Sequence, residues 1–247
     1  MTDWLVLVLD APLMSFGGAM IDQHGVTRGD PGRSLLTGLI GNALGYEHRD
    51  AGRLEALQHR LDHASLHLRD GEALVDFHTV DLGQPFMRSG WTTRGAPQGR
   101  EGGSAGSSTH IRNRHYLAGA LRLVVLTLGA GEGPDLDAVE TALREPARPL
   151  FLGRKTCLPA RPLLAGRVTA ADAVAALHRA HALAAALGLA DFPAEAEGLA
   201  AEWPDDGLLP RNARQETVVD QRDWRNQFHG GERRVVAGPL PKRGGPP

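Results

Sequence analysis

Apolar and polar positions near the N-terminus follow the pattern of a strand and then that of a helix. Trp4 to Leu9 is an unbroken apolar run that stops at a polar, proline-containing turn, which is typical of a strand buried on both faces. Apolar residues at helical spacing follow in Ser34 to Leu44, with Ser34 as a candidate N-cap and Gly45 as a stop signal. The pattern predicts a strand joined to a helix.

The segments that follow extend this pattern. The expected elements are a helix over Ala51 to Leu61, strands over Ser65 to Arg69 and Ala73 to Val80 around the turn Asp70-Gly71, a long strand over Tyr116 to Leu128, a helix over Leu136 to Leu143 and a strand over Leu150 to Leu152. The resulting order β-α-β-β-α-β is that of a ferredoxin-like or RRM-like domain. The expected fold class is therefore α+β.

A glycine-rich stretch, Gly83 to Asn113, interrupts this order. A loop of that length without secondary structure is uncommon in a compact domain unless it has a function. We therefore expect an inserted arm at about residues 83–115 of an RRM-like domain that spans residues 1–165. Residues 166–247 are expected to form a smaller C-terminal region with a helix over Thr169 to Leu187, short strands and a frayed Pro/Gly tail.

Composition limits the class of protein. The chain has 247 residues, of which 42% are hydrophobic and 23% charged, so it is expected to be globular. No apolar run is long enough to span a membrane, and the N-terminus lacks the pattern of a signal peptide. We expect a cytoplasmic protein without a membrane partner. The single cysteine, Cys157, excludes an internal disulfide and a multi-cysteine zinc site.

The net charge of -2 conceals a segregated distribution. Between Gln84 and Arg122 six arginines stand against one acid, Glu101, and between Arg148 and Arg167 there are five cations and no acid. This distribution predicts one basic face that suits a phosphate-rich partner. All but two of the 27 cations are arginines, so we give weight to their positions and not to their number.

Arg154 and Lys155 follow an expected strand in this acid-free stretch, and we expect them to contact phosphate oxygens. The surrounding residues are not a nucleotide-binding P-loop, because Arg148 stands where that motif needs a glycine. Cys157 is expected to be a packed side chain, and His59 with His63 a solvated helix face and not a metal pair. We predict no metal site and no cofactor.

Metal-free RNA cleavage needs a base, an acid and a cation around a 2′-hydroxyl. The residues that could provide these groups are Tyr46, His78, His110, His115 and Lys155. Side chains of these types occur in most chains of this length, and His78 alternates with apolar neighbours as in an ordinary edge strand. The pattern therefore favours a protein that is not an enzyme.

Five motifs lie in order along residues 4–165. They are Ala11-Pro12-Leu13-Met14-Ser15-Phe16-Gly17, Pro31-Gly32-Arg33-Ser34, Phe77-His78-Thr79-Val80, Arg114-His115-Tyr116-Leu117 and Leu152-Gly153-Arg154-Lys155-Thr156-Cys157-Leu158-Pro159. The ordered set resembles the CasD family of type I-E CRISPR-associated proteins, and Trp224 fits the family's C-terminal part more weakly. The chain departs from the family where Gly32 replaces a threonine, a change that could alter an RNA contact.

The resemblance implies a RAMP-type RRM-like fold in which the arm is a β-hairpin thumb that folds over CRISPR RNA (crRNA). It implies a non-catalytic subunit of a Cascade surveillance complex that holds the 5′ handle of crRNA. Its partners would be the backbone subunit and the large PAM-reading subunit, with target DNA reached only through the complex. The RNA-binding residues expected from the motifs and the charge pattern are Arg33, Ser34, Arg88, Arg94, Arg112, Arg114, Arg154 and Lys155.

Two alternatives stay open at this point. A metal-independent endoribonuclease that processes precursor crRNA would use residues such as His78 and Tyr46. A scaffold whose basic face meets only protein would bind no RNA.

Because no catalytic set stands out in the sequence, we predict that the purified protein leaves CRISPR repeat RNA intact in EDTA and in divalent metal. Gel analysis of labelled repeat RNA checks this prediction. A specific cut that disappears in His78→Ala or Tyr46→Phe would instead favour the endoribonuclease.

Overall fold

The computed structural model describes residues 1–18, 23–82, 84, 89–91, 97–99, 109–188 and 193–242. The strands in these ranges are β1 Thr2–Asp10, β2 Leu13–Met14, β3 His24–Gly25, β4 Leu61–Arg69, β5 Glu72–Asp81, β6 Ser89–Trp91, β7 Pro97–Gly99, β8 Thr109–Ala118, β9 Leu121–Leu128, β10 Leu164–Ala170, β11 Ala200–Pro204, β12 Arg214–Val218, β13 Arg222–Asp223, β14 Phe228–His229 and β15 Arg233–Pro239. The helices are α1 Arg33–Ala43, α2 Ala51–Arg60, α3 Leu136–Arg144 and α4 Ala173–Ala186.

A sheet in the order β10-β1-β9-β4-β11-β15-β12 forms the centre of the described structure, and its neighbouring strands are antiparallel. Strand β1 lies inside this sheet because both of its faces are apolar. Leu5, Leu7 and Leu9 face a core formed with α1 and α3, whereas Trp4 and Val6 face a core formed with α4. The expectation of a doubly buried first strand is confirmed.

The predicted α+β fold class is also confirmed. The elements β1, α1, β4, β9, α3 and β10 follow the order β-α-β-β-α-β, and their strands adjoin in the order β10-β1-β9-β4. This arrangement is the split β-α-β motif of ferredoxin-like domains. Strands β11, β15 and β12 from the C-terminal part extend the same sheet beyond β4.

Several predicted element boundaries are wrong. Residues 116–128 form parts of two strands, because Gly119 has a φ of 65° and turns the chain between β8 and β9. Residues 150–152 are not a strand; the last strand of the motif is β10. Helix α4 begins at Ala173 with Asp172 as its cap, since Thr169 lies in β10 and its hydroxyl donates to Asp3.

The predicted arm differs from the structure at its start. Strand β5, expected in the core, leaves the central sheet and pairs with β8 over its whole length, from Glu72 opposite Ala118 to Asp81 opposite Thr109. We call this β5–β8 hairpin the ribbon. Beyond it β6 pairs with β7, and the rest of the predicted arm lies outside the described residues.

The predicted division of the chain at residue 165 falls within β10, and it stays a prediction. Along the described ranges, no helix has both the length and the apolar character needed to cross a membrane.

The start of α1 is fixed by a residue far away in the sequence. Asp220 accepts hydrogen bonds from the backbone N–H of Arg33 through its carboxylate and from that of Ser34 through its carbonyl, at 2.9 and 2.8 Å. Gly32 precedes the helix without a side-chain cap. A Cβ at Gly32 would lie 2.9 Å from the Cβ of Asp220, so glycine is required for this approach. Asp220 thus supplies the N-cap that residue 32 lacks.

Asp220 belongs to a buried ionic network. Arg233 donates to Asp220 and to Glu202, each at 2.9 Å, and Arg28 lies 2.9 Å from Glu202. His63 packs against this network with its Nε2 atom 3.0 Å from the carbonyl oxygen of Pro31. The expected solvated position of His63 is wrong, since residue 63 lies in β4 and is 2% exposed.

Burial and the nearby arginines hold the pKa of His63 well below its ordinary value of 6.5. When the pKa of a histidine is lower in the folded chain than in the unfolded chain, its contribution to stability is fully present above the pKa of the unfolded chain. That contribution is lost as the pH falls below this value, because the unfolded chain then binds a proton that the folded chain does not. Between about pH 7.5 and pH 5.5 this loss is on the order of 1 kcal/mol of unfolding free energy.

We therefore predict that His63→Gln, which retains a hydrogen-bonding group, reduces this pH dependence by about that amount. Urea denaturation at both pH values measures it, and His59→Gln on the exposed surface of α2 is the matched control. Equal pH dependence in wild type and His63→Gln would contradict the assignment.

Candidate nucleic-acid interface

A cleft of about 900 Å³ opens beside α1. One wall comes from the segment after β1, from β8 and from residues 148–156, and another comes from the β13–β14 hairpin. Among the described residues that line the cleft, five carry a positive charge and one, Glu47, carries a carboxylate. The five cations are Arg114, Arg148, Arg154, Lys155 and Arg222. The cleft therefore favours an anionic ligand.

The structure brings four of the predicted site residues into this cleft: Ser34, Arg114, Arg154 and Lys155. The others do not line it. The guanidinium of Arg33 lies 2.8 Å from the carboxylate of Asp62, and its side chain is 15% exposed. Arg112 lies on the ribbon opposite His78. Arg88 and Arg94 lie outside the described residues.

Arg154 is held by the fold and not free to move. Its guanidinium donates to the carbonyl oxygens of His115 and Gly25, at 2.6 and 2.9 Å, and lies 4.6 Å from the centre of the Tyr116 ring. These contacts fasten β3 and β8 to the segment after Leu152. Lys155 is exposed, and among the described residues none forms an ion pair or hydrogen bond with it. Arg154 therefore shapes the wall from which Lys155 projects.

Gly153 sets the distance between two parts of that wall. Its φ is 97°, and a Cβ there would overlap the carbonyl oxygen of Ser15. Ser15 in turn donates its backbone N–H to the carbonyl of Leu152 at 3.1 Å. Only glycine lets the segment after β1 lie this close to residues 152–154. This close approach explains why the first and last of the five motifs share one site.

Sequence reasoning missed the cleft residues Arg148, Arg222 and His229. Arg148 stood in the recognised acid-free stretch, but it donates to the carbonyls of Gly45 and Tyr46. No signal in the sequence places Arg222 and His229 beside α1, because that neighbourhood depends on the buried contacts of Trp224. The indole of Trp224 is 6% exposed and donates to the side chain of Gln58 on α2 at 3.2 Å.

The candidate catalytic residues do not converge on one point. His78, His110 and His115 lie on the ribbon and do not line the cleft, whereas Tyr46 and Lys155 do. Arg53 packs 3.8 Å from the ring centre of Tyr46. Among the described residues, no group of three or more His, Cys, Asp or Glu side chains is placed to hold a metal ion. Cys157 is 1% exposed in the core, which confirms the predicted packed side chain. A cationic cleft that includes the half-buried ring of Phe151 suits a single-stranded polyanion.

Comparisons with known proteins agree with this description. A family model described as "CRISPR-associated protein (Cas_Cas5)" matches residues 4–236. The CRISPR system Cascade subunit CasD of Escherichia coli (strain K12) is 29% identical over 157 residues, which cover 64% of this chain and 67% of that protein.

Two solved structures have a similar fold. A chain of a "CRISPR RNA-guided surveillance complex" has a TM-score of 0.63 and 24% identity, covering 96% of this chain and 90% of that one. A chain described as "Crystal structure of Cas protein" has a TM-score of 0.55 and 22% identity, covering 97% and 95%.

The two neighbouring cations of the wall should differ in their effect on stability. We predict that Arg154→Ala lowers the unfolding free energy by about 1–3 kcal/mol, because two carbonyl acceptors lose a charged donor. Lys155→Ala should change it by less than about 0.5 kcal/mol, as is usual for an exposed side chain. Denaturant unfolding of both variants measures the difference, and equal effects would contradict the geometry of Arg154.

Proposed function

The chain belongs to the Cas5 family of CRISPR-associated proteins, and on that premise we propose that it is the type I-E Cascade subunit that binds the 5′ handle of crRNA. The observation that carries the proposal is the cleft beside α1, in which Lys155, Arg114 and Arg154 meet the small and aromatic residues of the segment after β1. The similarity to the Cascade subunit CasD supports the same role.

The cleft has the properties that a single-stranded RNA segment requires. Cations neutralise phosphates, and the open space at Gly17 leaves room for a backbone to approach. RNA that is recognised in sequence-specific fashion is usually single-stranded, with its bases unstacked. The handle would lie along α1 with its phosphates toward Lys155.

The ribbon supports a second part of the proposal, the contact with other subunits. In an antiparallel pair, directly opposed residues share a face, so Asp76 with Arg114 and His78 with Arg112 form a polar centre on one face, between Leu74 and Val80. Arg114 lines the cleft, and this face would therefore follow the RNA.

The opposite face of the ribbon carries apolar side chains. Val75, Phe77 and Ile111 are 54%, 60% and 38% exposed. Exposed apolar side chains this close together are typical of protein interfaces. We propose that this face contacts the neighbouring backbone subunit. The large PAM-reading subunit and, indirectly, target DNA complete the expected set of partners, and a cytoplasmic location stays a prediction.

We further propose that the subunit is not an enzyme. Tyr46 and Lys155 line the cleft, but His78 lies on the ribbon and does not. This separation favours binding over the endoribonuclease alternative, since general acid–base catalysis needs its groups within hydrogen-bond reach of one bond. Contacts to RNA by Arg33, Arg88, Arg94 and Arg112 stay predictions. For Arg33 such a contact would have to compete with Asp62.

The proposal predicts a specific salt dependence. In the log–log plot of affinity against salt, removing one phosphate contact from a single-stranded site makes the slope shallower by about 0.7. We expect this change for Lys155→Ala binding to handle RNA, with no change in sequence preference. Lys242→Ala is the matched control, because Lys242 is the other lysine and lies 3.5 Å from Glu197.

Fluorescence anisotropy at graded salt measures these slopes, and a pull-down of the tagged chain from cells tests whether crRNA co-purifies. Absence of crRNA from the pull-down, together with no binding of handle RNA in vitro, would contradict the proposed function.

A further inference from the structure

A second cationic position lies in the wall of the cleft formed by the β13–β14 hairpin. The guanidinium of Arg222 donates from one terminal nitrogen to the side-chain oxygen of Gln227 at 2.8 Å. Its Nε atom is buried and has no hydrogen-bond partner among the described residues, and the same holds for Nδ1 of His229. Both residues line the cleft. Each of these two cleft residues therefore keeps one buried polar atom without a hydrogen-bond partner, which is costly unless a ligand binds it.

The charge of Arg222 also lacks compensation. Arg28 and Arg233 are buried cations too, but each lies 2.9 Å from a carboxylate. Among the described residues, no carboxylate lies within ion-pair distance of Arg222, and burial lowers its pKa. A half-buried guanidinium without an anion is unfavourable in the free protein.

The acidic side chains around this wall are engaged elsewhere, and Asp220 is paired with Arg233. Asp223 accepts hydrogen bonds from the backbone N–H groups of Arg225 and Asn226 within its own turn. Glu47 lies 2.8 Å from Arg49. Reorientation of either side chain toward Arg222 would break these contacts, so the anion is expected from outside the chain.

The hairpin holds Arg222 in a fixed place. The backbone N–H of Arg222 donates to the side-chain oxygen of Gln58 at 3.0 Å, and the Trp224 indole donates to the same oxygen. The edge of the Trp224 ring packs against Gly38 on α1. The unpaired Nε–H group of Arg222 is therefore preorganised for its ligand, which lowers the entropic cost of binding.

We propose that Arg222, with His229 beside it, binds a phosphate of the RNA backbone at a second anchor, in the wall opposite to that of Lys155. This proposal rests on the proposed function and deepens it. The RNA crosses α1 between two cationic walls, and each wall binds one of its phosphates. One terminal nitrogen of the guanidinium donates to both oxygens of Gln227. The Nε–H and the other terminal nitrogen are a pair of donors for phosphate oxygens.

The test measures binding of RNA copied from the repeat segment upstream of a spacer in the host's CRISPR array. We expect Arg222→Ala to weaken binding about tenfold at about 0.1 M salt and to make the log–log salt slope shallower by about 0.7. Combined with Lys155→Ala, the change in slope should reach about 1.4, because the two residues contact separate phosphates.

Two control variants separate the anchor from the hairpin's structure. Gln227→Ala removes a partner of the guanidinium, and Arg225→Ala removes an exposed arginine of the same hairpin, so both should retain the wild-type slope. Arg222→Lys keeps the charge but loses the paired donors, and we expect weaker binding with the wild-type slope.

The outcomes distinguish this inference from the proposed function. If the wild-type chain binds no handle RNA, the proposed function fails. If the wild type binds but a folded Arg222→Ala variant, verified by its melting temperature, keeps the wild-type affinity and slope, the second anchor is wrong. If Arg222→Ala prevents assembly with partner subunits but leaves the RNA affinity unchanged, then Arg222 pairs with a carboxylate of a partner protein. This result would also overturn the proposal.

Discussion

The position of α1 depends on one buried carboxylate, that of Asp220. It caps the first turn of α1 and pairs with Arg233, which in turn pairs with Glu202 on β11. A charge this deeply buried is tolerated only when it is paired with an opposite charge, so the elements that supply its partners must come together. The floor of the cleft is thereby set by residues nearly two hundred positions apart in the chain.

This constraint also explains the departure from the family at Gly32. A side chain at residue 32 would meet the Cβ of Asp220. Glycine therefore stands at the position of the family's threonine, and Asp220 caps the first turn of α1. From the sequence, the change at Gly32 could alter an RNA contact, and this stays a prediction. The structure gives it a role in folding, because the backbone N–H groups of Arg33 and Ser34 already have acceptors in the protein.

The position of an arginine along the chain does not show whether it binds a ligand or the protein itself. Arg148 and Arg154 stand in an acid-free stretch, yet both donate to backbone carbonyls and hold the cleft walls together. Arg122, in the other basic stretch, is 2% exposed and donates to the carbonyls of Gly29 and Arg69. A guanidinium has five donors and satisfies buried carbonyls as readily as phosphates, so local charge does not separate the two uses.

The sequence by itself determined the α+β class, the buried first strand, the family and part of the cleft, because periodicity, turn residues and ordered motifs are local properties. Tertiary structure alone decided that β5 leaves the sheet for the ribbon, that β10 and not residues 150–152 closes the motif, and that His63 is buried. It also brought Arg222 and His229 to α1 through Trp224 and Gln58. These outcomes depend on which groups, distant in the sequence, form ion pairs and hydrogen bonds with one another. The local pattern of residues does not determine these pairs.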